Sequence, residues 1–180
     1  MTSEYLQRKD LKKCLEILTS QNELACLVAL ETGLRINDIL SLTTEQLLSG
    51  PKIKIIEQKT GKLRKIHLPS PLFEKLRASA GPCFVFTHRL DKNKHRTRQA
   101  VWKDIKRAGR AYRIKPNLSP HSLRKIFAVE LFQETGDLAQ LQKLFNHENK
   151  IVTAIYAFSD KIKRKRKDRK PCSAKRAVKE

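Results

Sequence analysis

Residues 119–127 read SPHSLRKIF, which sets His121 three places ahead of Arg124. Three residues is close to one helical turn, so on a helix the two side chains share a face. An imidazole beside a guanidinium can hold a phosphate oxygen through charged N–H donors. The same pair equally suits the polar side of an ordinary amphipathic helix. Ser119 is a good N-cap and Pro120 takes the favoured first helical position, so the pair stands where a helix presents free N–H groups and the positive end of its dipole.

Four more residues have chemistry to offer. Arg35 follows Gly33, a helix stop, and its ordinary role there is an ion pair with Asp38. Lys59 sits at the tip of a hairpin, where a lysine is usually solvated. His147, in FNHEN, precedes a helix and in isolation reads as structural. Tyr156 lies among apolar residues and in isolation reads as core. Taken singly, each of these has an ordinary explanation.

The elements that must position them follow from pattern and punctuation. A first helix runs from a Ser3 cap to about Leu18, with Leu6, Leu11, Leu15 and Leu18 as its apolar stripe. ELACLVALETG is apolar almost all round, which predicts a buried helix ending at Gly33. LRINDILSL restarts a helix, and Thr43 or Thr44 caps a short turn. KIKIIEQ and RKIHLP are β-branched segments joined by KTGKL, which predicts a hairpin turning near Thr60-Gly61. Residues 70–79 read as helix, and CFVF (83–86) as a short buried strand or an extended segment. Thr97 caps RQAVWKDIKRAGRAY, where Lys103, Arg107 and Arg110 share one face. A helix from Pro120 to about Glu134 stops at Gly136, and DLAQLQKLF and NKIVTAIYAF are two more short helices. The fold class is mainly α with a small antiparallel β-sheet, and the one boundary lies near residue 160: a domain over 1–160, then a basic flexible tail over 161–180.

Charge selects the partner. The 180 residues carry a net charge of +21, and it is concentrated. Residues 87–115 hold eleven Lys/Arg against Asp91 and Asp104, and residues 161–180 hold eleven against Asp168 and Glu180, +9 in each stretch. Two such patches favour a polyanion. The DNA-contacting candidates within and beside them are Arg96, Arg98, Lys103, Arg107, Arg110, Lys161, Lys163 and Arg164. The four cysteines form no C-x-x-C pair and no zinc spacing, so no metal site is expected, and free thiols fit a reducing compartment. No apolar run is long enough to span a membrane, and the N-terminus lacks the apolar stretch of a signal peptide.

In combination the candidates say more. The order Arg35, Lys59, His121-x-x-Arg124, His147, Tyr156 resembles the tyrosine recombinase (phage integrase) family, catalytic domain. The matching stretches are ETGLRINDILSL, EQKTGKLRKIHLP, PHSLRKIFA, LFNHENKIVTAIY and, more loosely, VFTHRLDKNKHRTRQAVWKDIKRAG. They occur in the family's order and cover about residues 8–158. A single H-x-x-R carries no weight, whereas six positions in order and in local context do.

The resemblance implies a fold of the recombinase catalytic-domain kind and a set of roles. Tyr156 attacks a DNA phosphodiester to give a 3′-phosphotyrosyl bond. Arg35 and Arg124 hold the scissile phosphate, Lys59 protonates the leaving 5′ oxygen, His121 assists proton transfer, and His147 donates to a phosphate oxygen. Asp38 orients Arg35. Neither ATP nor a metal is required, because the bond energy is kept in the phosphotyrosine. The expected partners are double-stranded DNA and further copies of the chain, as a dimer or tetramer, with no membrane. The expected setting is the cytoplasm, in a bacterial, archaeal or mobile-element protein acting on the nucleoid.

The sequence departs from the family's pattern in three places. Lys125 stands where a second histidine is usual, and Phe-Asn precedes His147 where Leu-Gly is common. Lys62 and Lys65 are rivals of Lys59 on the same hairpin. The N-terminal core-binding domain usual in the family has no counterpart here, so a reduced, free-standing form or a fragment is expected. Two other activities fit the residues: DNA nicking and closing of the topoisomerase IB kind, and a non-catalytic DNA-binding regulator.

Overall fold

The computed structural model describes residues 8–113 and 117–145. The chain divides into two units, residues 1–136 and 137–180. In the first, helix α1 (Arg8–Glu16) leads to α2 (Ser20–Thr32), which is buried along most of its length through Leu24, Ala25, Cys26, Val28, Ala29 and Leu30. Its all-round apolar sequence demands this, and α2 packs against α1, α3 (Ile36–Leu40), α5 (Ser70–Ser79), α6 (Arg98–Ala111) and α7 (Pro120–Thr135). Burial pushes the Cys26 thiol far above its ordinary pKa, so this cysteine is an inert core residue.

Gly33 stops α2 with φ 62°, the left-handed conformation that a side chain disfavours. A second constraint acts at the same place: a Cβ on Gly33 would lie 2.3 Å from Cδ1 of Phe127. The close approach of α2 and α7 therefore requires glycine twice over.

Helix α4 (Thr44–Leu48) is started by a capping box, in which Thr43 accepts from the Gln46 N–H and the Gln46 side chain accepts from the Thr43 N–H. Strands β1 (Lys52–Ile56) and β2 (Leu63–His67) pair antiparallel, from Lys52 opposite His67 to Ile56 opposite Leu63. Their alternation sends Ile53, Ile55 and Ile66 into the core. Residues 83–86 are not a strand of the sheet but a bent segment: Phe84 forms an isolated bridge with Thr43, and Val85 N–H donates to the Leu42 carbonyl at 2.9 Å.

Thr97 caps α6 by accepting from Ala100 N–H at 3.2 Å. Ser119 is the N-cap of α7, and its N–H donates to the Ser122 hydroxyl at 3.2 Å. Gly136 ends α7 at φ 66°. In the second unit, Asp137 caps α8 (Leu138–Leu144) by accepting from Ala139 and Gln140 N–H at 2.8 and 3.0 Å. The final helix expected over NKIVTAIYAF, and the boundary expected near residue 160, lie outside the described residues.

Candidate active site

The site forms around the end of α2. The last carbonyls of a helix have no partner within it, and they mark its negative end. Two arginines meet them here. Arg64 of β2 donates to the Thr32 carbonyl, and Arg124 of α7 donates to the Gly33 carbonyl. Arg124 is 1% exposed and is the largest fully buried side chain among the described residues. Arg35 is two residues past Gly33, as the N-cap of α3, with its side chain largely covered.

Glu57 gathers this cluster. Its Oε2 lies 2.7 Å from Nη1 of Arg35 and accepts from the Thr60 hydroxyl at 3.0 Å, while its Oε1 lies 3.4 Å from Nη1 of Arg64. Burial pushes the Glu57 carboxyl up, but hydrogen bonds from Thr60, Arg35 and Arg64 outweigh it and hold the group below the usual carboxylate range. Burial draws the Arg64 guanidinium down from its ordinary value, and Glu57 opposes that.

The ion pair expected between Arg35 and Asp38 is therefore replaced by one between Arg35 and Glu57. Asp38, buried beneath, accepts from the Gln58 N–H at 2.9 Å through Oδ1, while its Oδ2 has no hydrogen-bond partner among the described residues. Burial pushes its carboxyl up. The Gln58 N–H opposes this, Glu57 adds to it, and Arg35 and Arg124 oppose it. Among the described residues, three guanidiniums thus meet two carboxyls, a surplus of positive charge. That balance suits an anion.

The hairpin turn is rooted in the same glutamate. Glu57 N–H donates to the Lys62 carbonyl at 3.0 Å, and the Glu57 carbonyl accepts from Thr60 and Gly61 N–H at 3.2 and 2.8 Å. Lys59 lies in this turn, exposed. Lys65 is on the solvent face of β2, and Lys62 closes the turn. His121 is exposed on the first turn of α7. His147 and Tyr156 lie outside the described residues, as do Lys161, Lys163 and Arg164.

The basic candidates on and beside α6 separate into two groups. Arg98, Lys103 and Arg110 are exposed. Arg96, half-buried, and Arg107, itself exposed, are engaged with a buried carboxylate network. Arg107 grips Asp104 Oδ1 through Nε at 3.0 Å and Nη2 at 2.7 Å, and also donates to the Ile17 carbonyl at 2.7 Å. Asp104 Oδ2 accepts from Thr19 N–H at 2.9 Å and Asn22 Nδ2 at 2.7 Å, and Arg96 donates to Asn22 Oδ1. This network ties α6 to the start of α2. Next to it, Lys106 lies over the exposed Trp102 ring, 5.7 Å from the centroid.

Glu57 and Arg64 are the site residues that motif reading passes over. A signal for them exists. Ile53 and Ile55 face the core, and the same period of two brings Glu57 to that face; on β2, Arg64 shares its side with Ile66. Charged residues on the inward register require partners.

Comparison with known proteins bears on the fold and the family. The phage integrase family profile matches residues 4–162. The chain is 28% identical over 162 residues to tyrosine recombinase XerA of Thermococcus kodakarensis, covering 84% of this chain and 56% of that protein. It is 27% identical to the probable integrase/recombinase YoeC of Bacillus subtilis, covering 71% of each. Among solved structures, XerH site-specific recombinase bound to a palindromic difH substrate superposes with a TM-score of 0.70 at 23% identity, over 93% of this chain and 53% of that one. The catalytic domain of bacteriophage HP1 integrase superposes with 0.63 at 21% identity, over 87% and 88%. The chain thus spans about half the length of XerA and XerH. With the motif order, the fold and these matches in agreement, the chain belongs to the phage integrase family of tyrosine recombinases.

Proposed function

We propose that this chain is the cutting and rejoining portion of a site-specific DNA recombinase or integrase, working through a 3′-phosphotyrosyl intermediate. The observation that carries the reading is the meeting of Arg35 and Arg124 at one turn: Arg124 holds the Gly33 carbonyl, two residues from Arg35, the N-cap of α3. Two guanidiniums grip a phosphodiester's non-bridging oxygens bidentately, which lysine does less well. Preorganised donors of this kind supply several kcal/mol of transition-state stabilisation.

In this reading the Tyr156 Oη–phosphorus bond forms as the bond from phosphorus to the 5′ oxygen breaks. A phenol with a pKa of ~10 needs help at neutral pH. The tyrosine proton passes to His121 at the start of α7, and Lys59 delivers a proton to the leaving 5′ oxygen. His147 donates to a phosphate oxygen. Rejoining runs the same steps backwards, and neither ATP nor a metal is consumed. Residues 1–160 form the catalytic domain and 161–180 a basic arm. The partner is double-stranded DNA, engaged by a dimer or tetramer of the chain, in the cytoplasm of a bacterium or archaeon or wherever a mobile element meets its host's nucleoid. Among the described residues no helix is long and apolar enough to cross a membrane.

The test uses nicked suicide duplexes built from the DNA that flanks the gene. A covalent protein–DNA adduct lost in Tyr156→Phe, with Holliday-junction products from intact duplexes, is the expected result. An adduct with relaxation but no junction indicates nicking and closing alone. No adduct on any duplex points to a DNA-binding regulator.

A further inference from the structure

Glu57 belongs to none of the positions whose order marks the family, yet it is the residue through which Arg35, Arg64 and the hairpin turn communicate. It is 1% exposed, and its carboxylate is held from within the site: by Arg35 at 2.7 Å, Thr60 at 3.0 Å and Arg64 at 3.4 Å. Burying a carboxylate is unfavourable unless such partners are present, so a glutamate here ties the fold to the cluster's geometry. Arg35 stands at the N-cap of a five-residue helix on a long, flexible side chain. That backbone position alone does not fix the guanidinium plane. The Glu57 carboxylate engages Nη1 at 2.7 Å and so restrains the direction in which the rest of the fork points.

We propose that Glu57 is a positioning residue for the phosphate-holding arginine: it orients the Arg35 guanidinium before DNA arrives, with Arg64 as the counter-charge that keeps Glu57 itself in place. This rests on the reading of Arg35 as a phosphate ligand. Arg64 is anchored on the Thr32 carbonyl, so the path Thr32–Arg64–Glu57–Arg35 links the end of α2 to the arginine two residues beyond Gly33. Glu57 is also the root of the turn bearing Lys59, which offers the alternative that it acts on the leaving-group acid instead.

The experiment separates these. On a nicked suicide duplex, Glu57→Gln keeps size and hydrogen bonding but loses charge. Its adduct formation is expected to fall ~30–100-fold, the scale of a small misplacement at a reacting centre. Glu57→Asp should recover part of that rate. Added to Arg35→Ala, Glu57→Gln should cost almost nothing more, because a residue acting through Arg35 has nothing left to position. A duplex with bridging 5′ sulfur, whose leaving group needs no acid, should rescue Lys59→Ala and leave Glu57→Gln slow. Rescue of Glu57→Gln by sulfur, or a full further loss on Arg35→Ala, would overturn the proposal in favour of the turn or of a purely structural role. A readout without cleavage completes the test: in the DNA-free chain, low-temperature ¹⁵N spectra should show separate Nη signals for Arg35, assigned with Arg35→Lys, that merge in Glu57→Gln. Unchanged signals overturn the proposal even if no duplex is cut, whereas absence of wild-type adduct with merging signals counts against the recombinase reading alone.

Discussion

Arg124 donates to the carbonyl of Gly33 from 91 residues further along the chain, and the hydrogen bond is fully buried. It joins the start of α7 to the end of α2, the helix around which the core packs. The same side chain that serves as a phosphate ligand in the proposed reaction therefore also closes the fold. Arg124→Ala should lower stability by about 2–4 kcal/mol, from an unsatisfied buried carbonyl and poorer packing. Arg124→Lys keeps the charge but not the planar fork, and should cost less stability while reducing adduct formation by ~10² or more. Urea melts beside suicide-duplex rates check both, and equal loss of the two properties in Arg124→Lys would count against a phosphate role.

Gly33 allows that hydrogen bond to exist. Gly33→Ala places a side chain in the left-handed region, at about 1–2 kcal/mol, and drives its Cβ into Phe127. Pairing it with Phe127→Ala should relieve the second cost and not the first. The double variant is expected to be more stable than the sum of the single losses by about 0.5–3 kcal/mol, measured by denaturant melts of the four proteins. Strict additivity would mean that α2 and α7 separate instead.

The pKa values of Asp38 and Glu57 are displaced in opposite directions. Asp38 has a folded-state pKa above its ordinary value, so its contribution favours folding at low pH and is lost as pH rises from the ordinary carboxylate range through the raised pKa. Glu57 and Asp104 lie below theirs, so their contributions are present at neutral pH and are lost on acidification. Asp38→Asn mimics the protonated acid and can still accept from Gln58 N–H. Its stability relative to wild type should rise with pH above about 4 and then level off, the ordinary Asp pKa being ~3.9. Urea melts from about pH 4 to 8 provide the curve, and a flat difference would show that Asp38 is not destabilised by its charge.

The legible part of this molecule is the part governed by local chemistry. Gly33, Thr43, Thr97, the Ser119-Pro120 pair and Gly136 start or stop elements where their side chains or lack of them dictate. Arg35 and Arg124 are visible as a pair because their neighbours in sequence carry a familiar order. Glu57 is not, since a carboxylate beside a hairpin turn reads as solvated until the inward register of Ile53 and Ile55 is followed one step past the strand. A three-residue spacing matches Arg35 to Asp38, yet the partner arrives from the residue just after β1. Arg96 and Arg107 read as surface charge for a related reason: nothing in the sequence around Asp104 says that it is buried and capping α2 from a distance.

That last distinction is testable on and just before one helix. Arg107→Ala and Arg96→Ala disturb the Asp104 network and should each cost about 1–2 kcal/mol of stability. Lys103→Ala and Arg110→Ala are exposed and should stay within about 0.5 kcal/mol of wild type, while each phosphate they cease to neutralise lowers the salt slope of DNA binding by about 1. The contrast is read by thermal melts and by anisotropy titrations on a labelled duplex.

The second basic patch makes a stronger demand. Residues 161–180 hold eleven Lys/Arg, as many as residues 87–115, in a stretch with almost no apolar content. Charges of this kind bind the DNA backbone by releasing condensed counterions, so their contribution is blind to sequence and steep in salt. Deleting residues 161–180 should weaken binding to any duplex. It should also flatten the plot of log affinity against log salt by about 0.9 for each phosphate that is no longer neutralised. Adding Lys103→Ala and Arg110→Ala to the shortened chain should flatten it further, by the phosphates that those two side chains neutralise. Titrations between about 50 and 200 mM salt on specific and random duplexes give all the slopes needed. An unchanged slope in the shortened chain would mean that the tail does not touch DNA, leaving its charge to be explained by another partner.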